Sequence, residues 1–128
     1  MTIKEVYRKF NVSPDTLRYY ERVGVIPAVH RTAGGIRDYD ENDIKWVETA
    51  ICFRNAGMPI ELLIEYVILF REGDHTIGAR YDLLKEARER ILAERRKYDE
   101  ALDKMNYKIC KYEEALKTGN LVWESKGE

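Results

Sequence analysis

From about Thr76 to Lys117 the chain has no proline, and Gly78 is the one glycine in that stretch. A single helix of roughly forty residues is predicted, ~60 Å long at about 1.5 Å per residue. Leu84, Ile91, Tyr98, Met105 and Tyr112 recur at seven-residue intervals, with Ala87 and Ala101 at the alternate seam positions. Leu102, Ile109 and Leu116 widen the apolar stripe toward the C-terminal end. Nothing else in a chain of 128 residues can cover a stripe of that length, so the seam predicts pairing with a second copy. Glu94 and Lys108 also fall on the seam and would weaken a dry two-stranded core, which makes a shorter or less regular packing the expectation. Gly119 ends the helix, and a short tail is expected after it.

The residues before this helix carry short-range start and stop signals. Thr2 and Glu5 form a T-x-x-E capping box, and Ile3, Val6, Tyr7 and Phe10 follow at helical spacing, so a first helix is predicted from about Ile3 to Phe10. Asn11 ends it. Ser13 followed by Pro14 is an N-cap with proline at the first helical position, opening a second helix to about Val23 that Gly24 closes. Two short helices joined by a turn of about three residues have the spacing of a helix-turn-helix. Pro27, Gly34 and Gly35 punctuate the stretch from Val25 to Asp38, which predicts a small hairpin or wing. Asp40 caps a third helix to about Asn55 with Ile44, Val47 and Ile51 on one stripe. Pro59 opens a fourth, in which Ile60, Leu63, Ile64, Val67, Ile68 and Phe70 are expected to face inward. The fold class is therefore mainly α: a winged helix-turn-helix domain over residues 1–72, then a long dimerisation helix with a short tail over 73–128.

Charge is unevenly spread. Residues 1–37 hold seven Lys/Arg and three Asp/Glu, while the whole chain holds 22 and 23, so an excess of +4 at one end is followed by −5. That asymmetry suits a phosphate-facing footprint on one module. Cys52 and Cys110 lie far apart, without CxxC or Cys/His ligand spacing, so free thiols in a reducing compartment are expected. No leader-like apolar stretch opens the chain and none approaches the ~20 apolar residues of a membrane span, which predicts a cytoplasmic protein with no membrane partner. His30 and His75 have no neighbours at triad or metal-site spacing, and no P-loop, GxGxxG or HExxH occurs. Neither an enzyme, a metal site nor a cofactor is expected.

On the second helix, Asp15, Thr16, Arg18 and Tyr19 fall on the exposed N-terminal turns, while Leu17 and Tyr20 turn toward a core. Arginine and tyrosine there suit phosphate and base-edge contacts in double-stranded DNA. Arg31 and Arg37 flank the glycines of the wing, with Tyr39 two residues on, beside the backbone or minor groove. The ordered set Thr16-Leu17-Arg18-Tyr19-Tyr20-Glu21, Gly24-Val25-Ile26, Arg31, Gly35, Arg37 and Tyr39 resembles the N-terminal signature of the MerR family of transcription regulators. The resemblance extends over about residues 1–117. It implies an antiparallel coiled-coil homodimer that binds a palindromic operator inside an over-long promoter spacer, and that bends and untwists the spacer for RNA polymerase when an effector binds. Carried over by position, Arg18, Tyr19, Arg37 and Tyr39 lead the DNA contacts, with Thr16 and Arg31 behind them. Ile36 departs from the Tyr that the family often places before the wing arginine, and Val25 from its frequent Leu.

The effector is approached by what the chain contains. Metal sensors that resemble this family carry a cysteine pair in a loop just after the dimer helix, and the segment after Leu116 has neither Cys nor His. Multidrug-sensing relatives begin a large ligand domain where this sequence stops. A thiol remains. Cys52, within Ile51-Cys52-Phe53-Arg54-Asn55-Ala56-Gly57-Met58-Pro59, resembles the cysteine of the NmlR/AdhR-like subgroup, which implies a response to reactive aldehydes or nitrosative electrophiles. Local sequence offers it no cation on its own face, because Glu48 lies four residues before it and Arg54 points elsewhere. Two alternatives stand beside this: a reversible small ligand without thiol chemistry, and a coiled-coil module that binds protein partners. Expected dimer contacts are Leu84, Ile91, Tyr98, Ala101, Leu102, Met105, Ile109 and Tyr112.

Overall fold

The first three helices start where the sequence supplies a cap. In the computed structural model, which describes residues 1–123, Thr2 Oγ1 accepts the Glu5 N–H at 3.1 Å while Glu5 Oε1 accepts the Thr2 N–H at 2.8 Å, and α1 runs Ile3–Phe10. Asn11 leaves the helix in the left-handed region, at φ 54°. Ser13 Oγ accepts the Thr16 N–H at 3.1 Å with Pro14 as the first residue of α2, Pro14–Val23. At φ 90° Gly24 closes α2 in a conformation that L side chains rarely adopt. Asp40 and Asp43 cap α3, Glu41–Asn55, reciprocally: each carboxylate accepts the other's backbone N–H, at 2.8 and 3.0 Å. Pro59 precedes α4, Ile60–Glu72, and a single 3-10 turn over Asp74–Thr76 leads into α5, Ile77–Thr118.

The chain divides into two compact units, Met1–Ile91 and the residues from Leu92 onward. In the first, Val6 of α1 and Leu17 of α2 are fully buried and meet Ile26, Val47 and Met58 in a common core. Between α2 and α3 the wing is a minimal hairpin: Arg31 and Arg37 form one antiparallel bridge, Thr32 N–H donates to the Ile36 carbonyl at 2.7 Å, and Asp38 N–H to that of His30 at 2.7 Å. No strand longer than this bridge occurs among the described residues.

Two expectations about apolar faces change. Ile68 and Phe70 of α4 were expected inward but are about half exposed, because apolar residues surround this helix and only one side of it can meet the core. Phe70 instead stacks edge-on against Trp46, ring centroids 5.1 Å apart, beneath the Arg80 guanidinium. Ala87, expected at a seam position, is 6% exposed and faces the core of its own unit together with Leu83. Part of the apolar repeat, at Ala87, is thus used inside the chain while Leu84 stays 42% exposed, and a seven-residue spacing cannot distinguish an internal partner from a second copy. Thr76 fastens the approach to α5, its buried hydroxyl donating to the Leu69 carbonyl at 2.6 Å and accepting from Arg80 Nε at 3.0 Å.

In the second unit the apolar stripe is uncovered: Tyr98, Ala101, Leu102, Met105 and Ile109 are all exposed. Beyond Thr118 the backbone turns at Gly119, φ 82°, and Trp123 comes back against Tyr107 and Tyr112, both ring centroids 6.1 Å away. Residues 124–128 of the expected tail lie outside the described residues. No helix among those described is long and apolar enough to cross a membrane.

Candidate nucleic-acid interface

Helix α2 presents its polar residues on the turns that follow the Ser13 cap. Thr16 Oγ1 accepts from the Ser13 hydroxyl at 2.9 Å, which fixes both side chains at the helix N-terminus. Arg18 and Tyr19 are exposed, while Leu17 and Tyr20 turn into the core as their spacing predicts. Asp15, almost fully exposed, pairs with Arg18 at 3.1 Å, one helical turn apart. Arg22 lies over the Tyr19 ring, 5.3 Å from its centroid.

The wing arginines are not loose. Glu21, on the last turns of α2 with 11% of its side chain exposed, accepts Arg37 Nε at 2.7 Å and the Val29 N–H at 2.9 Å, and Arg31 comes within 3.8 Å. Burial by itself would raise the Glu21 carboxyl, but Arg37, the Val29 N–H and Arg31 together outweigh it and hold the group below its ordinary value. Arg31 also donates to the Gly35 carbonyl at 3.0 Å, bracing the wing turn. Ile36, where the resemblance expects a tyrosine, is 68% exposed on that turn.

A second tie joins the wing to α3. His30 Nδ1 lies 2.9 Å from Asp43 Oδ2 and 3.0 Å from Asp40 Oδ2, and the His30 N–H donates to Asp43 at 3.2 Å. The hydrogen bond to Asp43, then the charges of Asp43, Asp40 and Asp38, raise His30 above its ordinary value. The Asp43 N–H holds Asp40 below its own. These three side chains bring their ligand-type atoms within 4.8 Å of one another. Asp43 Oδ2 already receives three donors there, from His30 twice and from Asp40, so the cluster is accounted for as a hydrogen-bonded knot.

Tyr39 requires a correction. Expected among the DNA contacts, it is 1% exposed and belongs to the core, and its hydroxyl has no hydrogen-bond partner among the described residues. Positions two apart on a strand share a face, so alternation alone would leave Tyr39 beside Arg37; instead the hairpin ends at Asp38 and the backbone changes course into the Asp40 cap of α3, with Tyr39 buried in the core. Glu21 and His30 are the organising residues that sequence reasoning did not single out. Glu21 stood inside the quoted motif, but its partners lie 8 and 16 residues away, beyond the reach of any periodicity.

Cys52 is an exposed thiol on α3, and Cys110 an exposed one on α5 with its sulfur 3.9 Å from Glu114. An apolar cavity of about 30 Å³, room for roughly one water, lies in the first unit between α3, α4 and the start of α5, with Trp46, Phe53, Tyr66 and Leu84 among its walls. Cys52 does not line it.

A model of the MerR HTH family of regulatory proteins matches residues 1–67, more than half of the chain. The chain belongs to the MerR family. Among its MerR relatives is the HTH-type transcriptional regulator AdhR of Bacillus subtilis, 55% identical over 92 residues. That match covers 72% of this chain and 66% of the relative, a little under two thirds of its length. A crystal structure of a MerR family transcriptional regulator from Listeria monocytogenes superposes with a TM-score of 0.87 at 43% identity, covering 93% of this chain and 90% of the other. HiNmlR, a MerR family regulator lacking the sensor domain and bound to promoter DNA in its crystal structure, superposes with a TM-score of 0.80 at 27% identity, covering 94% and 95%. The helix-turn-helix and the long C-terminal helix are thus the architecture of MerR regulators, and the chain is a DNA-binding transcription regulator of that type.

Proposed function

We propose that the chain works in the cytoplasm as a homodimer that binds a palindromic operator within a promoter spacer and activates transcription by distorting the DNA when an aldehyde or other electrophile modifies Cys52. The observation that carries the DNA-binding part is the common presentation of Arg18 and Tyr19 on α2 and of Arg31 and Arg37 on the wing, the two elements being joined through Glu21. Arg18, Arg31 and Arg37 contact phosphate or base edges, Tyr19 and Thr16 add sugar-phosphate contacts, and Asp15 steers Arg18. Tyr39 supports the wing from beneath. The uncovered stripe Tyr98, Ala101, Leu102, Met105, Ile109 and Tyr112 supplies the antiparallel dimer contact, with Leu84 and Ile91 at its N-terminal end. Distortion of the spacer presents the promoter to RNA polymerase. The chain acts as a regulator and not as an enzyme.

Exposure of Cys52 and the 55% identity to AdhR support the electrophile reading. Chemically the step is an addition: the sulfur bonds to the carbonyl carbon and the thiol proton passes to the oxygen, so that no oxidant is required. A second reading, a reversible small apolar ligand, draws on the cavity beside Trp46 and Phe53, which would have to widen to admit one. Transcription in vitro from the promoter upstream of the chain's own gene separates the two, using wild type and Cys52→Ser with and without a small aldehyde. Electrophile sensing predicts aldehyde-dependent activation by wild type alone. An equal response from Cys52→Ser would overturn it in favour of the reversible ligand.

A further inference from the structure

A carboxylate at a DNA-binding surface needs an explanation, because it repels the phosphates that its neighbours attract. Glu21 is such a group. It sits on α2 with Arg18 and Tyr19, only 11% of its side chain is exposed, and its oxygens meet the wing segment: the Val29 N–H at 2.9 Å, Arg37 Nε at 2.7 Å and Arg31 at 3.8 Å. The Arg37 bond uses Nε. That leaves the two terminal nitrogens of its planar fork for another acceptor and fixes the plane in which they lie. Arg37 keeps 23% of its side chain exposed, enough to reach an incoming anion.

We propose that Glu21 is a positioning residue for DNA binding, which holds the Arg37 guanidinium, and through it the wing, in the orientation that meets phosphate. The inference rests on the DNA-binding reading above and deepens it by naming the residue that sets the wing. Its own charge opposes binding, but the orientation it imposes on Arg37 outweighs that repulsion. Two independent facts converge on this: the carboxylate is buried where its desolvation must be offset by the wing groups, and the bond it makes occupies the one guanidinium nitrogen that leaves the fork free.

The test compares wild type, Glu21→Gln and Glu21→Asp on a duplex carrying the promoter upstream of the chain's own gene, at several salt concentrations, with thermal melts as a check on folding. Positioning predicts that both variants bind at least about tenfold more weakly, with a salt slope lowered by about 2, as for the loss of one phosphate contact in each protomer of the dimer. Arg37→Ala should show the same loss, and Glu21→Gln added to it should cost no more. Simple electrostatics predicts the opposite sign: Glu21→Gln would bind more tightly with a steeper slope, and Glu21→Asp, whose charge is unchanged, would bind as wild type. Either of those results overturns the positioning role while leaving DNA binding intact. A Glu21→Gln chain that fails to fold leaves Glu21→Asp to decide by the same criteria. If wild type itself fails to prefer the promoter duplex, the DNA-binding reading falls and takes the inference with it.

Discussion

His30 shows how one side chain links wing, cap and solution conditions. Its ring lies against Asp43 and Asp40, with Asp38 also near, so protonation is easier in the folded chain than in the unfolded one. The sign follows directly: the folded value is raised above the ordinary 6.5, so the contact contributes its full stability below that pH and loses it as pH rises through the folded value. Thermal melts of wild type and His30→Ala between pH about 5 and about 8 should therefore differ most at the acidic end and converge at the basic end. A pH-independent difference would mean that the ring acts by packing alone. At this scale the sequence was only partly informative. Arg18 and Tyr19 could be placed on an exposed helix face from spacing, whereas Tyr39 could not be told from a surface residue, because its burial depends on the backbone turning from the wing into α3. His30 and Glu21 were silent for a related reason: their partners are brought to them by the fold and by no local repeat.

Among the elements, α2 depends most visibly on its ends. Ser13 satisfies the Thr16 N–H and Gly24 leaves the helix at φ 90°, where an added Cβ would be strained despite having Ile64 no nearer than 3.9 Å. Ser13→Ala should cost about 1 kcal/mol of stability in denaturant unfolding. A loss of nothing measurable would mean that Pro14 and the Leu17 contact alone fix the start of the helix. Caps of this kind were legible residue by residue, since Thr2 with Glu5, Ser13 with Pro14 and Asp40 act over one turn of chain. The wing was legible as a small hairpin, but not the ties that order it, because these come from Glu21 and Asp43 on neighbouring helices. In α5 the apolar repeat was read as one continuous seam. Ala87, with its neighbour Leu83, is instead spent on the chain's own core, while Leu84, Leu102, Met105 and Ile109 remain exposed.

For the whole molecule, the basic N-terminal segment lies in one compact unit and the uncovered stripe of Tyr98, Leu102, Met105 and Ile109 in the other, and the proposed function has the first bind DNA and the second pair two chains. A single unit of this size carries few phosphate contacts, and pairing two copies doubles them and imposes a two-fold operator. Membership of the MerR family fixes the kind of regulator; under the proposed function α2 and the wing bind as one unit, presented twice by a dimer. The most direct measurement is the affinity of the full chain for its own upstream promoter duplex and for a scrambled duplex of equal length, from about 50 to about 200 mM salt. The account predicts two chains per promoter duplex, a clear preference over the scrambled sequence, and an affinity that falls steeply as salt rises. Equal affinity for both duplexes, or one chain per duplex, would contradict it.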